Sequence, residues 1–208
     1  GEMVFWALNG TILLVAVTAA TALLNMWSND SSAYWYQIIA GVAGKTDRTV
    51  RVGVLASYQL PVMVAITLIF GFALKMDTSA IMKSAILACC YLLVALGANS
   101  LISAVVTIPG PAPGQSALRN NSGGSGKSVL ATMVSSMAAL LLCALPSGLI
   151  VLVCVLLDTS WVSLLIAALI TAAVLVGGIY GGGKLLERFQ VRNLRRVMAW
   201  PKHIYSGE

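Results

Sequence analysis

Five stretches of the chain carry no charged side chain: Met3–Trp27, Val52–Leu74, Ser84–Ile108, Ser128–Leu157 and Thr159–Gly183. Each exceeds the ~20 apolar residues that a helix needs to cross the hydrocarbon core of a bilayer. Only helices and closed barrels satisfy their backbones in lipid, and the apolar runs are continuous rather than alternating, which excludes barrel strands. The pattern predicts an all-α, polytopic integral membrane bundle. Its spans lie at about 3–27, 52–74, 84–108, 128–157 and 159–183, within a transmembrane domain covering 1–187.

The segments between the spans refine this picture. Trp27 is placed as an interfacial anchor, and Ser28–Ser32 is a turn and N-cap signal. Ala33–Val42 is too short to span and rich in aromatics. It reads as an interfacial helix (33–42) leading into a basic Gly44–Arg48 loop, or as an aromatic belt at a span end. Pro61 predicts a kink in the second span. The prolines and glycines of Pro109–Gly114 cannot continue a helix, so 109–127 reads as a flexible cytoplasmic loop. Asp158–Ser160 makes the last two spans a tight hairpin. Near the end of the fifth span, Gly177 and Gly181 lie four apart, as do Gly178 and Gly182. Either pair gives a small-residue face for close helix contact, and local flexibility is the alternative.

Composition agrees: 59% of residues are hydrophobic and 10% charged, against ~25% charged in soluble domains. Charge also sets the expected topology. Lys45, Arg48, Arg51, Arg119, Lys127, Lys184, Arg188, Arg192, Arg195, Arg196 and Lys202 fall on one side, while Lys75 and Lys83 fall on the other. The positive-inside rule makes the side with the larger set cytoplasmic. The N-terminus of the segment is then outside, and the C-terminus is inside on a basic tail, 188–208. The net charge of +6 follows from this asymmetry, so no nucleic-acid partner is expected. The first residue is Gly1 and no basic region precedes the first apolar run, which suggests that more chain, with at least one further span, precedes it.

The residues offer little chemistry of their own. Cys89, Cys90, Cys143 and Cys154 all lie in spans without metal-ligand spacing and read as small packing residues. Gly123–Ser128 looks like the end of a phosphate-binding loop, but Asn121 stands where the pattern needs glycine, and no strand precedes it. His203 is the only histidine and has no partner for a metal or a triad. Neither an enzyme nor a cofactor is expected. Coupled carriers usually place ionisable groups inside the bundle. These spans offer only Asn9, Asn25, Gln59, Asn99 and scattered Ser and Thr, so energy for uphill transport would enter from outside the bundle.

Four features in order resemble a type-2 ABC exporter permease, in its C-terminal half. They are Leu24–Trp35 (LNMWSNDSSAYW); Gly41–Lys45 with Arg48 before a span; Leu96–Ser103 leading into Ile108–Pro109; and a Gly/Ser-rich loop before an apolar hairpin and the basic Leu194–Arg196. The resemblance covers roughly Leu24 to Arg196. Two departures stand out: Asp30–Ser31 replaces the family's Asp-Gly, and five spans fall short of six or more. The resemblance implies a multi-pass protein of the bacterial inner (plasma) membrane, a second permease chain as partner, and two ABC ATPase subunits on the cytoplasmic face. It carries no catalytic residue. Coupling to the ATPase would fall on 33–51, with Tyr34, Trp35 and Tyr36 filling an apolar groove and Lys45, Arg48 and Arg51 meeting an acidic rim. Membrane lipid headgroups are the alternative partner for the same groups. A non-transporting scaffold or anchor subunit of a larger complex suits plain apolar spans as well; a channel or carrier is disfavoured by the absence of lining charge. An apolar bundle favours amphipathic or lipid-like cargo.

Overall fold

The computed structural model describes residues 2–24, 34–106 and 126–205. They form six α-helices: α1 (Glu2–Ala20, prolonged by a 3-10 turn Thr21–Leu23), α2 (Tyr34–Ile39), α3 (Gly44–Ala73), α4 (Thr78–Val105), α5 (Gly126–Leu156) and α6 (Trp161–Tyr205). All but α2 contain a segment long and apolar enough to cross a membrane. The chain is thus an all-α, multi-pass membrane protein. The Ser28–Ser32 turn, Trp27 and most of the 109–127 loop lie outside the described residues.

α4 is the hub. Of its most apolar window, 72% is buried inside the bundle, against 22–39% for the other spans. It packs against α1, α3, α5 and, most extensively, α6. Its sequence explains this position, because Ala, Ser, Cys and Gly alternate with Leu and Val on every face. Leu87, Ala88, Tyr91, Leu92, Val94 and Ala95 are all buried in one core with Leu8, Ile12 and Ala16 of α1, Met63 of α3, and Leu164 and Ala167 of α6. The outward faces of α3, α5 and α6 carry Val, Leu, Ile and Phe, as helices facing lipid tails require.

The α4–α6 seam is built on glycine. A Cβ on Gly178 would strike the backbone of Gly97, and one on Gly182 would meet the Ser100 carbonyl at 2.6 Å. One residue on, Gly183 approaches the backbone of Lys45, and Gly44 approaches the Gly183 carbonyl. Of the two glycine pairs visible in the sequence, Gly178 and Gly182 make the crossing. Gly181 faces the Leu101 side chain, and Gly177 has open space around it. Backbones that approach this closely gain van der Waals contact, which drives helix association where lipid removes the hydrophobic drive.

Two elements run further than the charge-free stretches predict. α3 begins at Gly44, so the expected basic loop is the helix's first two turns. Pro61 lies inside α3 and Pro146 inside α5 without ending either helix. α6 continues through the glycines and the basic segment to Tyr205 as one helix of 45 residues. At 1.5 Å per residue it is about 68 Å long, so residues 188–205 form a helical extension rather than a loose tail. A charged side chain ends a membrane span but does not end a helix.

Three helix ends close with one hydrogen-bond pattern. After α2, the Val42 N–H donates to the Gln37 carbonyl and Gly41 N–H to Ile38 (3.1 and 3.0 Å). After α3, Met76 N–H donates to Gly71 and Lys75 N–H to Phe72 (both 3.0 Å). After α5, Thr159 N–H donates to Cys154 and Asp158 N–H to Val155 (2.7 and 3.4 Å). Each is a Schellman closure, whose pivot adopts positive φ and is usually glycine. Gly41 (φ 64°) follows the rule; Lys75 (53°) and Asp158 (49°) do not, and Thr159 (47°) adds a second left-handed residue to the last turn.

The seam yields a contrast between neighbours. Gly178→Leu should lower stability by about 1–3 kcal/mol or more, because α4 and α6 must separate. Gly177→Ala should be neutral or stabilising by up to ~1 kcal/mol, because a helical glycine in open space is replaced by a better helix former. Thermal unfolding of the two variants in mild detergent checks the order.

Candidate functional site: the basic end of the bundle

The residues singled out in the sequence converge where α2, the start of α3, the end of α4 and the extension of α6 meet. α6 organises this junction. The Glu187 carboxylate accepts the Gly44 N–H at 2.8 Å, so a side chain from α6 caps α3, whose own N-cap residue, Ala43, makes no side-chain bond. A negative group at a helix N-terminus also complements the helix dipole. Further along α6, Asn193 Nδ2 donates to the Ala104 carbonyl and Arg192 Nη2 to the Val105 carbonyl, both at 3.0 Å. These are orphan acceptors at the C-terminus of α4. Arg192 is held over the Phe189 ring, 4.0 Å from its centroid.

Inside this frame sits a buried charge cluster. Arg48 is 1% exposed. Its Nη1 donates to Ser103 Oγ of α4 at 2.7 Å, and its Nε lies 3.4 Å from Asp47 Oδ2. Asp47 also accepts from Arg51 Nε at 2.7 Å, and Arg51 reaches Gln37 of α2 at 3.4 Å. The cluster therefore ties α2, α3 and α4 together. A charge buried in low dielectric is tolerated only when paired and hydrogen-bonded, and Asp47 and Ser103 supply that pairing.

The sequence-selected residues thus divide. Arg48 is an internal structural charge, not part of a rim presented to a partner; its spacing from Lys45 and Arg51 gave no sign of the buried Ser103 it meets. Arg51 is half-buried on Asp47. Lys45 stays exposed, its Nζ 2.6 Å from Tyr180 Oη and 4.2 Å from the centre of that ring. Tyr34 is 4% exposed and packs with Ala104 and Leu186, anchoring α2 to α4 and α6. Trp35 and Tyr36 point outward, 44% and 72% exposed. The segment 34–39 is helical, as the interfacial reading of 33–42 expects, and it is fixed by one aromatic while displaying two.

Asp47, Ser103, Glu187 and Asn193 carry this junction without a distinguishing sequence signal, and Arg192 stands out in the sequence only as one of the basic residues on that side. Glu187, Arg192 and Asn193 lie beyond the apolar run, yet Leu186 and Asn193 continue the buried stripe of Thr171, Gly178 and Gly182 at helical spacing.

The cluster predicts an unequal response to removing its two charges. Asp47→Asn leaves Arg48 buried without its carboxylate and should cost about 3–5 kcal/mol, the range for breaking a buried pair. Arg48→Met leaves Asp47 with Arg51 and should cost less. Denaturation midpoints of both variants in the same micelle measure the difference.

Comparison with protein-family models, with curated proteins and with solved structures finds no match to this chain.

Proposed function

We propose that the chain is a transmembrane permease subunit of an ATP-driven ABC exporter, with its basic end cytoplasmic and an ATPase subunit docked there. The observation that carries this reading is the α2 platform. Trp35 and Tyr36 stand exposed on a short helix whose Tyr34 is locked into the bundle. Aromatic side chains displayed on a fixed backbone are the usual anchors of a protein interface. The platform is coupled to the spans by defined bonds. Arg51 joins Gln37 to α3, Arg48 joins α3 to Ser103 of α4, and Glu187 joins α3 to α6. A push on α2 would therefore reach three spans. The order of sequence motifs resembling type-2 exporter permeases points the same way, as does the positive-inside bias.

In this reading Lys45 and the exposed Lys184 and Arg188 of α6 frame the dock, and Arg48 transmits rather than contacts. The partner permease, the ATPase and placement in the bacterial inner membrane belong to the same proposal.

Purification from the native host in mild detergent, with mass spectrometry of co-eluting proteins, tests it. An ABC ATPase near one-to-one stoichiometry is the expected result. In the reconstituted pair, Trp35→Ala with Tyr36→Ala should weaken ATPase association about 10-fold or more while leaving the unfolding temperature of the permease unchanged. A stable complex with a different enzyme and no ATPase would instead make the chain a scaffold subunit.

A further inference from the structure

At the end of the bundle opposite the basic junction, three chain segments enclose a cavity of about 760 Å³. Its walls come from the start of α1, the α3–α4 turn with the first turns of α4, and the α5–α6 turn. Volumes of ~300–1,000 Å³ are typical of small-ligand sites. Phe5 and Trp6, packed edge to face with centroids 5.2 Å apart, supply an apolar wall, and Lys75 and Lys83 with Glu2, Asp77 and Asp158 supply charge of both signs.

Depth locates it. From Lys83 to Ser103, where Arg48 is bonded, α4 rises about 30 Å, the thickness of the hydrocarbon core. The two charged layers thus bracket the apolar slab, and the cavity opens in the headgroup layer. One turn beneath its aromatic wall, Asn9 donates to the Phe5 carbonyl and to Ser84 Oγ (2.8 and 3.0 Å), and its Oδ1 is a buried acceptor with no donor among the described residues.

The backbone supplies the independent observation. Among the described residues, the non-glycine positions with positive φ are Lys75, Asp158 and Thr159, and all three line this cavity. The left-handed region is strained for residues with a Cβ, more so for lysine and the β-branched threonine than for aspartate. The same closure at the basic end uses Gly41, and the chain has 19 glycines. At the cavity, the positions where glycine would be cheapest carry an ammonium and a carboxylate instead. Strain of this kind persists at sites where the side chain has a task. Asp77, at the N-cap of α4, complements the helix dipole but makes no capping hydrogen bond.

We infer that this cavity is a binding site for a zwitterionic amphiphile. Its cationic group lies against Asp77 and Asp158, its anionic group against Lys75 and Lys83, and its apolar body along Phe5 and Trp6. The chemistry is shared by a phospholipid headgroup of the ethanolamine type and by a free amphipathic zwitterion such as a short apolar peptide. The inference stands apart from ATPase coupling and holds for a permease or a scaffold.

The test is titration of the full chain, purified without partners in maltoside micelles, followed by calorimetry. The zwitterionic probes are dihexanoylphosphatidylethanolamine and leucyl-phenylalanine. The single-charge probes are dihexanoylphosphatidylglycerol and hexyltrimethylammonium. Saturable binding of a zwitterion, at least 10-fold tighter than either single-charge probe, is expected. The tighter of the two zwitterions identifies the source as lipid or as free solute. Lys75→Gly and Asp158→Gly should each weaken that binding about 10-fold and leave the unfolding temperature unchanged or higher, since each removes a strained residue and a ligand contact together. Non-saturating partition, equal affinity for a single-charge probe, or full affinity in both glycine variants would overturn the site.

Discussion

The close crossing of α4 and α6 is the contact on which the rest of the bundle depends. In a bilayer, apolar side chains gain little by leaving lipid for protein, so helices are held by dense contact and by polar bonds. Gly97 against Gly178, and Ser100 against Gly182, bring two backbones together without intervening side chains. The same run of small residues continues to Gly183, which seats Gly44 and so fixes where α3 begins. A single glycine-rich face therefore sets the spacing of three spans. It also explains why α6 stays helical through Gly177–Gly183. Each glycine weakens an isolated helix by ~1 kcal/mol, but interhelical contact at four of the five glycines offsets that weakness.

Once α6 is fixed on α4, its extension is aimed. Glu187, Arg192 and Asn193 recur on the side of α6 that faces α3 and α4, and they satisfy the free backbone groups at the ends of those helices. The buried Arg48 becomes tolerable only in this setting, with Asp47 beside it and Ser103 presented by α4. The seam, the caps and the charge cluster form a hierarchy: separating the first would expose the second and strand the third.

The five spans were legible because absence of charge over more than twenty residues has no other physical reading. The helix ends were not. Gly44–Arg48 reads as a loop because charge ends an apolar span, whereas α3 begins there under a cap that comes from Glu187, more than a hundred positions away. Arg48 looked like a surface cation because no local pattern reveals that Ser103 will face it. The glycine faces were visible as two equivalent pairs. Only the partner's own glycine, Gly97, distinguishes Gly178 from Gly177, and a one-residue step around a helix is 100°. The turns at Lys75 and Asp158 carried no glycine or asparagine signal, so their left-handed pivots could not be anticipated.

The two ends of the bundle solve the same problem differently. At the basic end, backbone termini are closed by side chains of α6 and a left-handed pivot is given to Gly41. Among the described residues of that end, no non-glycine residue has a positive φ. At the other end the helices are joined by short turns whose pivots are Lys75, Asp158 and Thr159. Glycine at Lys75 or Asp158 would preserve the hydrogen bonds of the closures, because those bonds are made by backbone atoms, whereas Thr159 adds a bond of its own from Oγ1 to the Cys154 carbonyl at 3.4 Å. Side chains kept where they weaken the turn must act beyond it, and the space they face is the cavity between the turns.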